Sequence, residues 1–403
     1  WTTVRFVASG TLSLLGNSVA GVVIPLVLLA RTGDALAAGS LALICAIPQM
    51  LIGLLGGALL DRVNRRSISI ISDIVSAASV ALLPVVDIVF GLDFGWFVVL
   101  GLMGAIGDIP GMTARDTLLP EVVAKDGIDL QRFLGVSQSL ESIVTIMGPA
   151  LAALLIGLGT DSAALWVTAA LSFAAAVVTL TLPRSLGSVK SGEERADAKP
   201  KSVLALAKHS LGEGVNVLFK RDALLRTSML LTFGIVMVLG SFQGIVLPVF
   251  FTNAGDPSHL GYVLSAMSAG LLVGSLGYAA LTPKLSRRAW FSVSLLGMAI
   301  AVVALGCLPP YVAMLAAALG LGIAAGPASA LLGFFAYDRI PGESRGSALG
   351  TQNALMLVAA PVAVFATSVV VEIWGVSVAG LALAGCWLLI TAWALTTKAM
   401  RNL

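Results

Sequence analysis

Four acidic side chains lie inside long apolar stretches of this 403-residue chain: Asp73, Asp87, Asp108 and Glu141. Ionisable groups in such surroundings are costly, and they usually face an interior cavity and mark the path of an ion or a proton. A carboxylic acid whose exposure changes could take up a proton on one side of a membrane and release it on the other. These four acids are therefore the first candidates for chemistry.

Glu141 is the strongest of the four. Its predicted span begins at residue 130, so a rise of 1.5 Å per residue places Glu141 about 17 Å along the helix, near the midplane. Gln138, Thr145 and Gly148 share its helical face, which is therefore polar or small. We expect Glu141 to couple proton movement. The alternative is an acid that only hydrogen-bonds a neighbouring helix.

The other three acids have more than one interpretation. Asp108 lies about two turns from the inner end of the fourth predicted span, so it either faces the cavity as a second coupling acid or pairs with basic loop residues. Asp73 is expected to neutralise Arg65 or Arg66. Asp87 is near the outer end of its span and is expected to be hydrated.

The sequence lacks the residue patterns that an enzyme, a metal site or an ATP-driven pump would need. The two histidines, His209 and His259, lie outside the apolar stretches, and Cys45, Cys307 and Cys386 show no metal-ligand spacing. No glycine-rich phosphate loop is present. The sequence therefore predicts neither an enzyme nor an ATP-driven pump, with no metal and no cofactor beyond the proton.

The elements that must position these acids are membrane helices. Hydrophobic residues make up 58% of the chain and charged residues 11%, against roughly 25% charged in soluble domains. About 20 apolar residues span the hydrocarbon core. The predicted spans of this all-α polytopic protein are 5–30, 37–60, 67–90, 95–114, 130–158, 162–183, 223–252, 259–282, 289–307, 311–336, 346–372 and 375–397.

The basic residues fix an orientation for these spans. If the N-terminus is cytoplasmic, 23 of the 24 lysines and arginines lie on that side, and only Arg31 lies outside. We expect a multi-pass protein of a bacterial inner membrane with both termini cytoplasmic. Its partners are then the bilayer and a small molecule, not nucleic acid, and we expect a monomer. Because the chain begins at Trp1, a short preceding segment is expected, and the first apolar stretch is too long for a cleavable signal.

The chain repeats itself once. Gly21-Val-Val-Ile-Pro25 returns as Gly244-Ile-Val-Leu-Pro248, and a basic cluster and a span proline recur in the same order. This order indicates duplication of a six-helix unit. The predicted domains are a bundle at 1–183, a cytoplasmic linker at 184–222 with an amphipathic helix near 202–219, and a second bundle at 223–403.

Six plus six spans around a central loop resemble the major facilitator superfamily, whose halves pack around a midplane cavity. Gly57-Ala-Leu-Leu-Asp61-Arg62-Val-Asn-Arg65-Arg66 resembles the superfamily's loop signature. The resemblance implies a cytoplasmic gating latch made by Gly57, Asp61, Arg62, Arg65 and Arg66 together with Asp73. Asn64 stands where the family prefers glycine, and we expect it to tolerate the same left-handed backbone. The alternative is a basic loop that only sets topology.

Three further stretches narrow the resemblance to one branch of the superfamily. Gly148-Pro149, with alanines at 152 and 153, resembles the signature of the exporter branch, and it predicts a bend in the fifth span. The runs 110–121 and 213–226 resemble the branch with macrolide and enterobactin exporters and actinobacterial Tap-type multidrug efflux pumps. This resemblance implies proton-coupled export by alternating access.

The substrate cavity is predicted from polar and aromatic residues of several spans. The candidates are Asn17, Gln49, Gln138, Thr145, Phe242, Gln243, Tyr262, Tyr278, Gln352 and Asn353. Only one acid and no basic residue is expected near the centre, which favours a neutral, amphipathic or cationic substrate held by apolar contact. A dedicated exporter of a siderophore or lipid, and an uptake symporter of the same fold, remain alternatives.

Overall fold

The computed structural model describes residues 2–60, 64–127, 130–158, 161–183, 186, 212–281, 286–340 and 345–397. Within these ranges, twelve helices are long and apolar enough to cross a membrane, and none of the described residues forms a strand. The predicted all-α polytopic fold is confirmed. The helices are α1 (Thr2–Thr32), α2 (Ala35–Leu60), α3 (Arg65–Phe90), α4 (Phe94–Lys125), α5 (Leu130–Gly157), α6 (Asp161–Leu180), α7 (Ala223–Asn253), α8 (Ser258–Leu281), α9 (Arg287–Gly306), α10 (Tyr311–Arg339), α11 (Arg345–Trp374) and α12 (Val376–Thr396).

Two compact units emerge from the contacts within the chain. The first comprises Trp1–Thr32 and Ile44–Lys208, and the second comprises Gly33–Leu43 and His209–Leu403. The start of α2 therefore belongs with the second unit and its remainder with the first.

Helix α4 is longer than the sequence predicts. The predicted span ends at residue 114, because Arg115 and Asp116 interrupt the apolar run, yet the helix continues to Lys125. Beyond the charges, Leu118 and Val122 are buried in a cluster with Phe6 of α1. This apolar contact stabilises the additional turns, so Arg115 lies inside a packed helix and not in a loop.

Asn64 begins α3 in a way that the sequence did not predict. Its backbone is extended, with φ −61° and ψ 115°, and its side-chain oxygen accepts from the Ser67 N–H at 3.2 Å. The expectation of a left-handed residue is wrong, because Asn64 is an N-cap. Ser286 caps α9 through the Ala289 N–H at the repeat-related position.

At the start of the first helix of each half, an aspartate side chain accepts a hydrogen bond from a backbone N–H group. The Thr3 backbone N–H donates to Asp126 Oδ2 at 2.8 Å, and this bond holds the pKa of the Asp126 carboxyl below its usual range. Asp222 caps α7 by accepting from the Leu224 N–H at 2.7 Å, and its second oxygen pairs with Arg339 of α10 at 3.4 Å. Each cap satisfies backbone donors that a helix start leaves without partners.

Helix α7 contains a π-helical turn, Phe242–Val246, just before Pro248. Within this turn the Leu247 N–H donates to the Phe242 carbonyl, five residues back. A proline in a helix clashes with the carbonyl four residues before it, and a wider turn relieves that crowding. The repeat-related Pro25 lies in α1, which is α-helical throughout.

The chain immediately before α7 packs against helices of the second unit, to which it belongs. Residues 212–216 are α-helical and Val217–Arg221 form a π-helical turn. Val217 and Leu218 are buried in a cluster with Leu225 and Met229 of α7, Ile340 just after α10, and Ala348 of α11. The remainder of the predicted amphipathic helix, 202–211, lies outside the described residues.

Candidate functional site

A cavity of about 160 Å³ lies among α1, α3, α4 and α5 of the first unit. Most of its wall is apolar or weakly polar, and three charged side chains interrupt it: Asp108, Arg115 and Glu141. The remaining lining residues are Phe6, Val7, Gly10, Thr11, Ser13, Leu14, Asn17, Ser72, Met112, Leu119, Ser137, Leu140 and Val144. An apolar wall with a few convergent polar groups is the usual character of a small-molecule site.

Arg115 forms an ion pair with a buried aspartate on the wall of this cavity. Its Nη2 donates to Asp73 Oδ2, and the other Asp73 oxygen accepts from Ser13 Oγ at 2.9 Å. The Asp73 side chain is 4% exposed and that of Arg115 is 17% exposed. A buried carboxylate is stable when both its oxygens are bonded and its charge is matched, which is the arrangement seen here.

Asp108 lies on the same face of α4 as Arg115, two turns earlier. It lines the cavity, and Ser76 of α3 is within hydrogen-bonding reach of its carboxylate. Asp73 and Arg115 are both close enough to act on it electrostatically. The structure thus brings Asp108 to the cavity, as one of its two sequence interpretations requires.

Glu141 enters the cavity from α5. Its side chain is exposed, and it is one of the residues that line the cavity. Thr145 Oγ1 donates to the Glu141 backbone carbonyl at 2.8 Å, which leaves the carboxylate out of that bond. Asn17 of α1 lines the same cavity, whereas the side chain of Gln138 is outside the described residues.

The predicted gating loop is described only in part. Asp61 and Arg62 lie outside the described residues, and Gly57 is described only as part of α2. Arg66 is buried and donates to the Leu180 carbonyl at 2.6 Å, which ties the start of α3 to the end of α6. Arg65 is the first residue of α3.

Gly148 marks a close approach between α5 and α1. A β-carbon at this position would lie 2.0 Å from Ser18 Oγ and 2.5 Å from Ser18 Cβ. Pro149 is accommodated within α5, which runs from Leu130 to Gly157. The absence of a side chain at Gly148 is thus a packing requirement in this structure.

Several residues that the sequence predicts for the substrate cavity do not line the cavity of the first unit, and their surroundings differ. Phe242 is buried, with 1% exposure, and Gln243 Nε2 lies 3.9 Å from Met267 Sδ. Tyr278 packs edge-on against Trp290, with ring centroids 5.3 Å apart. The accessible members of this set are Tyr262 and Asn353, while Gln49 and Gln352 are half-buried.

Sequence reasoning missed Arg115 as a site residue. The predicted span ends at residue 114, one residue before Arg115, so the sequence places Arg115 outside the membrane helices. Its spacing of seven residues from Asp108 is the signal that could have found it, since residues seven apart share a helical face. The sequence expects no basic residue near the centre of the spans, and it does not predict that Arg115 lines this cavity from the later part of α4.

Among the described residues, no group of three or more His, Cys, Asp or Glu side chains could hold a metal ion. The features that stand out are twelve apolar helices in two units and a partly charged cavity among four of them. Together they define a polytopic membrane protein of the transporter class.

The comparison with protein families gives the class its name. The sequence profile of the Major Facilitator Superfamily matches residues 6–252, more than half of the chain. The chain belongs to this superfamily, and it is a transporter, not an enzyme.

Curated relatives are similar over nearly the whole chain. Multidrug efflux pump Tap of Mycolicibacterium fortuitum is 29% identical over 392 residues, which cover 96% of this chain and 93% of the relative. Macrolide efflux protein A of Streptococcus pyogenes is 25% identical and covers 91% and 90% respectively. The branch expected from the sequence is confirmed.

Solved structures of low identity share the fold. The nucleoside transporter NupG superposes with a TM-score of 0.75 at 15% identity, covering 100% of this chain and 99% of NupG. A bacterial homologue of the human lysosomal transporter Spinster gives a TM-score of 0.71 at 14% identity, covering 100% and 96%.

Proposed function

We propose that this transporter exports small amphipathic compounds in exchange for protons, by alternating access. The observation that carries the proposal is the cavity of the first unit, where Glu141 and Asp108 share one space with mostly apolar side chains. Apolar surface binds a range of compounds with little selectivity, and an accessible carboxylate can exchange a proton for a ligand. Both parts of an antiport reaction are therefore available in one cavity.

The size of the cavity indicates which part of a substrate it takes. Sites for drug-sized ligands measure roughly 300–1,000 Å³, whereas this cavity measures about 160 Å³. It would hold the polar or charged end of a compound, with the apolar body lying outside it. This division suits amphipathic molecules.

The relatives support export over uptake. Two of them are named as efflux proteins, for multiple drugs and for macrolides, and each matches over at least nine-tenths of its length. The uptake-symporter alternative rests on the shared fold alone, and one fold hosts many functions.

The proposed setting is a bacterial inner membrane with both termini in the cytoplasm, in accordance with the positions of 23 of the 24 basic residues. The proton is the only coupling ion in this scheme, and a single chain carries out the cycle. Gly57, Asp61, Arg62, Arg65 and Arg66 would latch the cytoplasmic side in one state.

Transport in everted membrane vesicles tests the proposal. Vesicles that contain the protein and maintain an acidic interior should accumulate a fluorescent hydrophobic cation, and collapse of the gradient should release it. Glu141→Gln should reduce accumulation to that of vesicles without the protein, and Glu372→Gln, at an exposed glutamate of α11, should leave it unchanged. Unaltered accumulation in Glu141→Gln would refute the assignment of Glu141.

The alternatives give different results in the same assay. An uptake symporter would accumulate its substrate in right-side-out vesicles. A dedicated exporter of a siderophore or lipid would leave the fluorescent cation outside but export that metabolite under the same gradient.

A further inference from the structure

The charged residues of the cavity present a problem of selectivity. Asp108, Arg115 and Glu141 all line it, so a guanidinium that attracts anions stands beside two carboxylates that attract cations. The preference of the cavity for one sign of charge depends on which of these groups is available to a ligand.

Arg115 is already engaged. Its guanidinium is paired with Asp73, whose other oxygen is held by Ser13 at 2.9 Å. Detaching Arg115 would leave the Asp73 charge buried and unmatched, which is strongly unfavourable. The pair is therefore close to a neutral unit within the wall.

The two other charges differ from Arg115. Asp108 has the neutral hydroxyl of Ser76 within hydrogen-bonding reach, and Glu141 is exposed on α5. A ligand that enters the cavity thus meets two carboxylates and a guanidinium whose charge Asp73 has neutralised.

We propose that Asp73 is a specificity-determining positioning residue, which gives the cavity its preference for cationic ligands by masking Arg115. The inference rests on the proposed function, in that it treats this cavity as a substrate site. Asp73 acts through Arg115 and does not touch the ligand.

Binding of two probes of equal size and opposite charge tests the inference. Naphthylpropylamine and naphthylpropanoate share one aromatic body, and their binding to purified protein in detergent can be followed by naphthalene fluorescence. The wild type should prefer the amine. Asp73→Asn should lower the ratio of amine to carboxylate affinity by about tenfold or more, because it exposes an unpaired guanidinium to the ligand.

The double variant Asp73→Asn/Arg115→Gln separates masking from a general loss of structure. It replaces a neutral ion pair by a neutral hydrogen-bonding pair, so the wild-type affinity ratio should return. If Arg115 were available to ligands in the wild type, the double variant would instead prefer the amine more strongly than the wild type does. That result would overturn the inference even if Asp73→Asn alone failed to fold.

Asp87→Asn is the matched control. It also removes an aspartate from an ion pair within the first unit, the pair with Arg31 at 2.6 Å, but neither residue lines the cavity. Its affinity ratio should equal that of the wild type, and a shift like that of Asp73→Asn would contradict the proposed role. Equal binding of both probes to the wild type would also overturn the inference. Because binding needs no proton gradient, failure of the vesicle assay alone would count against the proposed function only.

Discussion

Gly148 of α5 lies against Ser18 of α1 so closely that a β-carbon on the glycine would stand 2.5 Å from Ser18 Cβ. Both helices line the cavity, through Asn17 on α1 and Glu141 on α5. The contact therefore fixes the distance between two walls of the candidate site, and the Gly148-Pro149 motif has a packing role that its sequence did not reveal.

Gly148→Ala should destabilise the protein by about 1–3 kcal/mol, because the added methyl group forces α1 and α5 apart. Adding Ser18→Gly should recover most of that loss. The temperature of unfolding in detergent measures both effects. Gly21→Ala is the control, since nothing lies within 4 Å of a β-carbon there, and an unchanged unfolding temperature in Gly148→Ala would show that the contact is unimportant.

Gly274→Ala should be more damaging than Gly148→Ala. A β-carbon on Gly274 of α8 would lie 2.2 Å from the Ile323 carbonyl oxygen of α10, so the clash is with backbone and no side chain can turn away. We expect a loss at or above the upper end of about 1–3 kcal/mol, seen as aggregation during size-exclusion chromatography. Gly277→Ala, which meets nothing within 4 Å, should elute as the wild type does. Normal elution of both variants would contradict the prediction.

Asn64→Ala should cost about 0.5–2 kcal/mol, because it removes the cap from the start of α3. Asn64→Ser should be nearly neutral, since serine is an equally good N-cap and Ser286 holds the repeat-related position. Thermal unfolding of the two variants distinguishes an N-cap at Asn64 from a left-handed turn there. In such a turn serine would be as harmful as alanine, and that outcome would contradict the capping role.

The two ion pairs of the first unit should respond differently to the same substitution. Asp73→Asn leaves Arg115, whose side chain is 17% exposed, without its charge partner on the cavity wall and should cost about 3 kcal/mol, the lower end for breaking a buried pair. Asp87→Asn should cost less than about 1 kcal/mol, because the Arg31 and Asp87 side chains are 41% and 20% exposed. Chemical unfolding of the two variants side by side is the measurement. Equal losses would mean that burial does not set the strength of these pairs.

The sequence is sufficient to predict the helices, but it is not sufficient to predict which charged side chains pair with each other. Apolar run length predicts the twelve spans because unsatisfied polar groups are costly in lipid, and the bias of basic residues predicts their orientation. The pairing of Asp73 with Arg115 joins positions 42 residues apart. No local pattern states which acid meets which base, and the sequence assigned Asp73 to Arg65 or Arg66 instead.

The residues that line the cavity could also be predicted only in part. Glu141, Asp108 and Asn17 were identified because polar residues are rare in spans, and the structure brings all three to one cavity. Ser13 and Ser72 were missed, since serine is common in membrane helices and carries no charge. Asn64 was given the wrong backbone conformation because asparagine suits both a left-handed turn and an N-cap.

Proton release on ligand binding is the most direct test of the central claim, that a carboxylate of this cavity exchanges a proton for the substrate. Adding naphthylpropylamine to purified protein in a weakly buffered detergent solution should acidify the solution, as reported by a pH-sensitive dye. Glu141→Gln should abolish the release while Glu372→Gln retains it. Binding of the amine without any proton release from the wild type, or release that is unchanged in Glu141→Gln, would contradict the account.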